Sequence, residues 1–147
     1  MHTGTLGPVG RLRCPESWAQ LTTWLHTSEC GMGREPMIEP FADFAGRAGR
    51  WILEIGVGME ADHLRFLKGR AEAVGIDLSP HSLKITSLRA KTEGVRVAFA
   101  NADAEGLPFP DNSFDMVFSW GVLGHVRGAH HAIREIHRCS SQQASCV

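Results

Sequence analysis

The sequence contains a short apolar segment that runs directly into a glycine turn. Residues 51–55 read WILEI, and Gly56 and Gly58 follow them. Glycines at such a turn let the backbone approach a ligand without a Cβ clash, and the N-terminus of a following helix offers unpaired N–H groups. Asp77 ends the next apolar segment about 20 residues on, a spacing at which a carboxylate accepts hydrogen bonds from ribose hydroxyls. This order of residues predicts a site for a nucleotide-like ligand.

Taken alone, these residues leave alternatives open. A purely structural turn would explain the glycines, and Asp77 would serve equally as a loop residue or as a helix cap near Ser79. Residues 56–61, GVGMEA, also fit the GxGxxA variant of the dinucleotide fingerprint. A nicotinamide or flavin domain is therefore an alternative at this point.

Short apolar segments alternate with amphipathic ones along the chain. Their periodicity predicts strands at 51–55, 73–77, 95–99 and 114–120 and helices at 61–69, 80–91 and 129–136. This order predicts an α/β fold in which a parallel sheet carries helices on both faces. Two further helices are expected earlier, one between residues 15 and 28 and one at 35–45. We expect an N-terminal arm with a short helix at 1–34, a ligand-binding domain at 35–139 and a tail at 140–147.

The composition excludes several classes of partner. The chain has 147 residues and a formal charge of −1, which gives no general attraction to nucleic acid or to an anionic membrane surface. Its apolar segments are too short to cross a bilayer, and its first residues lack the apolar stretch of a signal peptide. We expect a single cytoplasmic domain that binds neither nucleic acid nor membranes.

The cysteines and histidines do not have the spacing of a metal site. The four cysteines are far apart and form no CxxC pair. Four histidines lie close together near the end of the chain, but none belongs to an HExxH pattern: His125, His130, His131 and His137. We therefore expect reduced thiols and no bound metal.

The residues that follow the third predicted strand carry the most specific pattern. Residues 101–115 read NADAEGLPFPDNSFD and lead into the apolar segment MVFSWGVL at 116–123. Together with LEIGVG at 53–58 and GIDLSP at 75–80, this sequence resembles the class I, Rossmann-like S-adenosylmethionine-dependent methyltransferases of the bacterial small-molecule type with a methyltransferase-11-like domain. The resemblance extends over about residues 34–138. It implies a three-layer Rossmann-like domain, S-adenosyl-L-methionine as cofactor and a small-molecule methyl acceptor.

The resemblance also implies roles for individual residues. Glu54 matches the acid that holds the amino end of the cofactor, directly or through water, and Asp77 matches the acid that binds the ribose. Leu78 matches a position that packs on adenine, Asp103 the acid that receives the adenine amino group, and Ser119 a position beside the reactive sulfonium. The full set of cofactor-binding residues implied is Glu54, Gly56, Val57, Gly58, Asp77, Leu78, Asp103, Ala104, Ser119 and Trp120.

His125 is the candidate general base near this site, because an unperturbed imidazole titrates near neutrality. A loop histidine with a local hydrogen bond is the equal alternative. The cofactor already carries an activated methyl group, so the protein has to align the reacting atoms and exclude water. A base is needed only when the nucleophile is protonated at the working pH.

Two departures from the family pattern bear on function. Glu60 stands where relatives commonly have a third glycine, and residues 139–147, CSSQQASCV, stand where the family helix normally leads into a fifth strand. We therefore expect a truncated fold that lacks its last strands. The fourth strand would then lie at a sheet edge, so that residues 114–120 would promote self-association.

Three functions follow from this interpretation. The first is methyl transfer from S-adenosylmethionine to a small molecule, and the second is a non-catalytic nucleotide-binding or interaction module. The third is an NAD-dependent oxidoreductase domain, which the later motifs fit poorly. The sequence identifies neither the methyl acceptor nor its acceptor atom.

Overall fold

The described residues form a five-stranded parallel sheet with helices packed against it. The computed structural model describes residues 38–59 and 61–146, so the expected helix between residues 15 and 28 and the position of Glu60 lie outside the described residues. The described elements, in chain order, are α1 (Ile38–Ala42), β1 (Trp51–Ile55), α2 (Asp62–Lys68), β2 (Glu72–Asp77), α3 (Pro80–Thr92), β3 (Ala98–Asn101), β4 (Phe114–Phe118), α4 (Ala129–Cys139) and β5 (Ser140–Cys146). A short 3-10 helix, Leu123–His125, precedes α4.

The strands follow the spatial order β3-β2-β1-β4-β5 and every neighbouring pair is parallel. Strands β2 and β3 lie on one side of β1, whereas β4 and β5 lie on the other side. The strand order therefore reverses between β1 and β4, whose carboxyl ends lie next to each other. Ligands of open α/β sheets bind at such a point. The fold therefore places the glycine turn after β1 where a ligand site is expected.

Apolar side chains cover both faces of the sheet. On one face, Leu53 and Val117 pack with Ile136 of α4. On the other face, Ile52 and Met116 pack with helices α1 and α2, through residues such as Ile38 and Phe66. This is the three-layer Rossmann-like arrangement that the sequence predicted, with helices on both faces.

Local signals account for most element boundaries. Helix α3 begins as predicted, with Pro80 in its first turn and the Ser79 hydroxyl accepting a hydrogen bond from the Ser82 N–H at 3.2 Å. The third strand begins later than predicted because Val95 donates its N–H to Ala90 O at 2.8 Å, which closes the end of α3. Asp43, with φ 48°, ends α1 earlier than the expected residue 45.

The prediction that the fourth strand is an edge is wrong. Strand β5 pairs with β4 on the side away from β1, with Phe114 opposite Ser140, Met116 opposite Ser145 and an irregularity between them. The expected tail therefore contributes a strand, and the predicted self-association through residues 114–120 loses its premise. The segment SSQQASC lacks the β-branched and apolar alternation from which a strand is recognised, so pairing with β4 determines its conformation.

None of the helices in the described part of the chain is long and apolar enough to span a membrane. Cys139 is a free, buried cysteine, and burial raises the pKa of its thiol. It lies at the end of α4 and packs in the hydrophobic core.

Candidate functional site

A cleft of about 530 Å³ lies at the carboxyl ends of the strands. Four segments of the chain line it: residues 55, 56 and 58 at the end of β1 and in the turn that follows, residues 76–78 at the end of β2, residues 102–105 after β3, and residues 121, 122 and 125–127 after β4. Each predicted motif therefore contributes to one continuous depression.

The glycine turn has a geometry that requires glycine. Gly56 has φ +81° and Gly58 has φ +55°. The N–H groups of Gly56 and Val57 both donate to Ile76 O, at 2.8 and 3.1 Å, which ties the turn to β2. A Cβ on Gly56 would lie 2.1 Å from Cγ2 of Val122. The segment after β4 thus packs directly on the turn.

Helix α3 contacts the glycine turn through Thr86. The Thr86 hydroxyl is buried and donates a hydrogen bond to Gly58 O at 2.9 Å. This bond satisfies the Gly58 carbonyl and ties the turn to α3, while Gly56 and Gly58 line the cleft.

Asp77 combines a structural role with free acceptor capacity. Its Oδ2 accepts the Gly58 N–H at 2.8 Å and its Oδ1 accepts the Ser79 N–H at 2.7 Å. An ionised carboxylate offers about four acceptor sites, so roughly two remain for a ligand. Asp77 lines the cleft and is partly exposed, which places these sites within reach of hydroxyl donors.

Leu78 presents an apolar surface inside the cleft. The residue is 66% exposed, although it follows a buried strand. Asn101 fixes its backbone, since Asn101 Nδ2 donates to the carbonyls of Asp77 and Leu78 at 2.8 and 3.0 Å. A flat apolar ring that covered Leu78 would gain burial without disturbing the fold.

Asp103 and Ala104 lie on the adjacent wall. Asp103 is exposed, and its Oδ1 accepts the Glu105 N–H at 2.9 Å. Ala104 is buried among the core residues that pack on this side of the sheet. The carboxylate of Asp103 keeps acceptor sites that face solvent, and Ala104 leaves room beside it.

The structure brings together most of the predicted site residues and leaves others outside the lining. Those in the cleft are Gly56, Gly58, Asp77, Leu78, Asp103, Ala104 and His125. Val57 is buried beneath the turn, and Trp120 is 36% exposed but lies outside the lining. Ser119 also lies outside the lining; its Oγ is buried and has no hydrogen-bond partner among the described residues.

Glu54 is not among the residues that line the cleft. It is 4% exposed, and its Oε2 lies 2.9 Å from Nδ1 of His63, which is fully buried in α2. The carboxylate of Glu54 therefore contacts a buried residue of α2. His63 lies nine residues along the chain, and a lone histidine in an amphipathic segment gives no sequence signal of this pairing.

Two charged residues of the cleft, Glu105 and Arg127, were not predicted from the sequence. Glu105 joins the segment after β3 to the start of α4, since its Oε1 accepts the Gly128 N–H at 2.9 Å and its Oε2 lies 3.6 Å from His131 Nδ1. Arg127 lines the cleft beside them and is exposed. Glu105, an acid two residues after Asp103, could have been recognised in the sequence, whereas no sequence pattern indicates a role for Arg127.

The chemistry of the cleft is that of a polar-ligand site. Three residues with carboxylate side chains, Asp77, Asp103 and Glu105, line the cleft together with the exposed Leu78. His125 and Arg127 lie on the wall that follows β4. Within residues 38–59 and 61–146, no group of three or more His, Cys, Asp or Glu side chains could hold a metal ion. The cleft suits an organic ligand with hydroxyl or amino donors and a flat ring.

Comparison with known proteins agrees with this geometry. A family model for a methyltransferase domain, methyltransferase-11, matches residues 53–147. The uncharacterized methyltransferase YcgJ of Bacillus subtilis is 34% identical over 97 residues, which cover 65% of this chain and 38% of YcgJ. The crystal structure of YcgJ matches with a TM-score of 0.65 at 29% identity, covering 86% of this chain and 47% of that chain.

Two further relatives differ in the reaction that their names give. The 27-O-demethylrifamycin SV methyltransferase of Amycolatopsis mediterranei is 37% identical over 95 residues, covering 63% of this chain and 35% of its own length. The cyclase SpnF matches in structure with a TM-score of 0.65 at 26% identity, covering 82% of this chain and 53% of SpnF. This chain thus spans about two fifths or less of the length of the two curated relatives.

Proposed function

Because this chain belongs to the methyltransferase-11 family of class I S-adenosyl-L-methionine-dependent methyltransferases, we propose that its cleft binds S-adenosyl-L-methionine for methyl transfer to a small molecule. The observation that carries the proposal is the arrangement at the end of β2. Asp77 offers free acceptor sites beside Leu78, an apolar side chain that is 66% exposed in the cleft. This combination matches a ribose joined to an adenine.

The residues of the cleft fit this cofactor. Asp77 accepts hydrogen bonds from the ribose hydroxyls, Leu78 packs on the adenine, and Asp103 accepts the adenine amino group. The Cβ position of Gly58 has only the Gly56 carbonyl oxygen within 4 Å, which allows close approach of the methionine part there, whereas Val122 fills the space over Gly56. Glu54 lies in β1, directly before the turn, and its carboxylate is hydrogen-bonded to His63, so that Glu54 supports the turn.

The protein's contribution to the reaction is alignment and exclusion of water. The bound cofactor supplies the activated methyl group. Val122 packs over Gly56 and so limits the space above the turn, while His125 lies on the wall after β4, exposed and able to accept a proton from the acceptor. The name of the rifamycin methyltransferase supports a small organic acceptor.

A second candidate is a module that binds S-adenosylmethionine without transferring its methyl group. The similarity to SpnF, named as a cyclase, favours this candidate, because a related fold is there described by a different reaction. Turnover separates the two functions: a methyltransferase converts bound S-adenosylmethionine to S-adenosylhomocysteine in the presence of an acceptor, whereas a binding module does not.

Calorimetric titration of the full chain tests the cofactor. We expect S-adenosylmethionine and S-adenosylhomocysteine to bind and NAD to give no saturable heat. Asp77→Asn keeps one oxygen for the turn but loses the charge, so it should weaken S-adenosylhomocysteine binding about 10- to 100-fold, as expected for loss of a charge-assisted hydrogen bond.

Glu72→Gln is the matched control, because Glu72 is exposed at the opposite end of the same strand. It should bind S-adenosylhomocysteine like the parent chain. Unchanged affinity in a folded Asp77→Asn variant would remove Asp77 from the site, and selective binding of NAD would replace the proposed cofactor.

A further inference from the structure

Glu105 connects two segments that line the cleft. Its Oε1 accepts the N–H of Gly128 at 2.9 Å, and its Oε2 lies 3.6 Å from Nδ1 of His131. Glu105 belongs to the lining segment that follows β3, whereas Gly128 comes directly after the lining residues His125 and Arg127 and precedes α4. One side chain therefore joins the wall after β3 to the wall after β4.

The start of α4 needs an acceptor from elsewhere in the chain. A helix begins with backbone N–H groups that have no partner within the helix, and the residue before it commonly supplies a side-chain oxygen. In α4 that residue is Gly128, which has no side chain and is buried. A buried N–H without an acceptor is costly, and a carboxylate is favourable at the positive end of a helix. The carboxylate of Glu105 supplies the acceptor and the charge together.

Glu105 also belongs to the turn that presents Asp103. The Glu105 N–H donates to Asp103 Oδ1 at 2.9 Å, and the Gly106 N–H donates to the Asp103 carbonyl oxygen at 3.1 Å. Asp103 is exposed, so these backbone hydrogen bonds orient its carboxylate. The side chain of Glu105 anchors the same turn to Gly128. The direction of the Asp103 carboxylate therefore depends on this anchor.

The space for the anchor exists because residue 128 is a glycine. A Cβ on Gly128 would lie 2.2 Å from Oε2 of Glu105 and 2.7 Å from its Cδ. Gly128 has a negative φ of −102°, so a left-handed backbone does not oppose a side chain at this position. The end of a flexible side chain can move away from an added methyl group. A side chain at position 128 would therefore displace the Glu105 carboxylate.

We propose that Glu105 is a positioning residue for nucleobase recognition, which holds the Asp103 carboxylate where it accepts the amino group of the adenine. This inference rests on the proposed function, in which Asp103 accepts that amino group. Glu105 acts through Asp103. An anchored turn has less freedom to lose when the ligand binds, so less of the binding free energy is spent on ordering it. Glu105 thereby strengthens the preference for adenine over a ring without the amino group.

The first experiment compares S-adenosylhomocysteine with S-inosylhomocysteine, in which a carbonyl oxygen replaces the amino group. An ionised carboxylate can only accept, so Asp103 bonds the amino group and not the carbonyl. Calorimetry of the full chain should show at least about tenfold tighter binding of S-adenosylhomocysteine, as expected for a hydrogen bond to a charged group. Glu105→Ala should reduce this preference about 3- to 10-fold, the effect of one further side chain that has to be ordered on binding.

Three variants test the anchor from both of its ends. Gly128→Ala keeps Glu105 but places a Cβ where its carboxylate lies, so it should reduce the preference to the same extent. Glu105→Gln keeps a side-chain oxygen that accepts the Gly128 N–H, so the preference should stay within about twofold of the parent chain. Gly124→Ala is the matched control, because nothing lies within 4 Å of its Cβ position. It should bind both ligands like the parent chain.

The preference between the two ligands separates positioning from a general structural role. If Glu105→Ala or Gly128→Ala, in a folded chain, weakens both ligands equally or weakens neither, the inference is overturned and the proposed function stands. A parent chain that binds both ligands equally also overturns the inference, because Asp103 then does not recognise the amino group. If neither ligand binds to the parent chain, the proposed function fails and this inference fails with it.

A measurement on the unaltered chain covers the case in which these variants do not fold. By linkage, a ligand that needs the anchor also stabilises it. Saturation with S-adenosylhomocysteine should therefore slow hydrogen exchange of the Gly128 amide more than saturation with S-inosylhomocysteine does. Identical exchange of the Gly128 amide with both ligands overturns the inference.

Discussion

At the scale of single residues, the glycine turn has two independent requirements for glycine. Gly56 has a positive φ, and Val122 occupies the space that a Cβ would need. Gly94 has a positive φ of 68° but nothing within 4 Å of its Cβ position. The two glycines therefore separate the cost of conformation from the cost of crowding.

Gly56→Ala should destabilise the chain more than Gly94→Ala. Alanine at position 94 should lower the free energy of unfolding by about 1 kcal/mol, the cost of a left-handed conformation. Alanine at position 56 has the same cost and, because it clashes with Val122, should lower the free energy of unfolding by about 1–3 kcal/mol more. Urea unfolding of both variants measures the difference. A second substitution, Val122→Ala, should recover part of the loss at 56 and none at 94. Equal losses at the two positions would contradict the packing of Val122 on the turn.

Spacing along the chain indicated Asp77, which ends a predicted strand, whereas Leu78 and Asp103 were implied by the family resemblance. All three line the cleft, because the topology of a parallel sheet brings the carboxyl ends of its strands to one edge. The orientation of Glu54 depends on His63, a partner from a different element. No periodicity reports such a pairing, so only the three-dimensional structure could reveal it.

At the scale of elements, helix α4 holds the long segment between β3 and β4. The Leu107 N–H donates to Glu135 Oε2 at 2.9 Å, and Arg138 Nη2 donates to Leu107 O at 3.0 Å. Arg138 Nη1 donates to Phe109 O at 2.8 Å. The segment that carries Asp103 into the cleft is thus fixed by two side chains of α4.

Glu135→Gln should destabilise the chain in a pH-dependent manner. Hydrogen bonds from Arg138 and from the Leu107 N–H lower the pKa of Glu135. Since the folded-state pKa lies below the unfolded value, this stabilisation is fully present above about pH 4.3 and is lost as the pH falls through the folded-state pKa. We expect a loss of about 1–3 kcal/mol at pH 7, typical of hydrogen bonds to a charged group.

The measurement is the free energy of unfolding in urea at pH 7 and at about pH 3. The difference between parent and variant should shrink at the lower pH. Glu72→Gln is the control, because the exposed Glu72 should show little difference at either pH. A difference for Glu135→Gln that grows on acidification would contradict this role of Arg138.

The elements themselves were predictable where apolar periodicity was strong. The bounds of β1 agree with the prediction, because four of the five residues at 51–55 are apolar and Glu54 is the exception. Strand β5 was missed because its polar sequence carries no strand signal, and its pairing with β4 is a tertiary effect. Sequence reasoning thus predicted the strands β1 to β4, whose carboxyl ends border the cleft, and failed at the partner of β4.

At the scale of the whole molecule, β5 covers the edge of β4. Removing residues 141–147 should expose the unpaired backbone of Phe114–Phe118, whose side chains are largely buried. Exposed apolar strands of this kind associate edge to edge. Sedimentation velocity should therefore show that the shortened chain self-associates more strongly than the full chain at the same concentration. Identical sedimentation of two folded chains would show that β5 does not protect β4.

The proposed function requires that S-adenosylmethionine-type ligands occupy the cleft at the carboxyl ends of β1 to β4. The most direct measurement is the change in backbone amide signals of the nitrogen-15-labelled full chain on addition of S-adenosylhomocysteine. We predict saturable shifts at Gly58, Leu78 and Ala104, which line the cleft, and unchanged signals at Trp51 and Glu72, which begin the strands at the opposite end of the sheet. The absence of shifts at saturating ligand, or shifts centred on Trp51 and Glu72, would contradict the account.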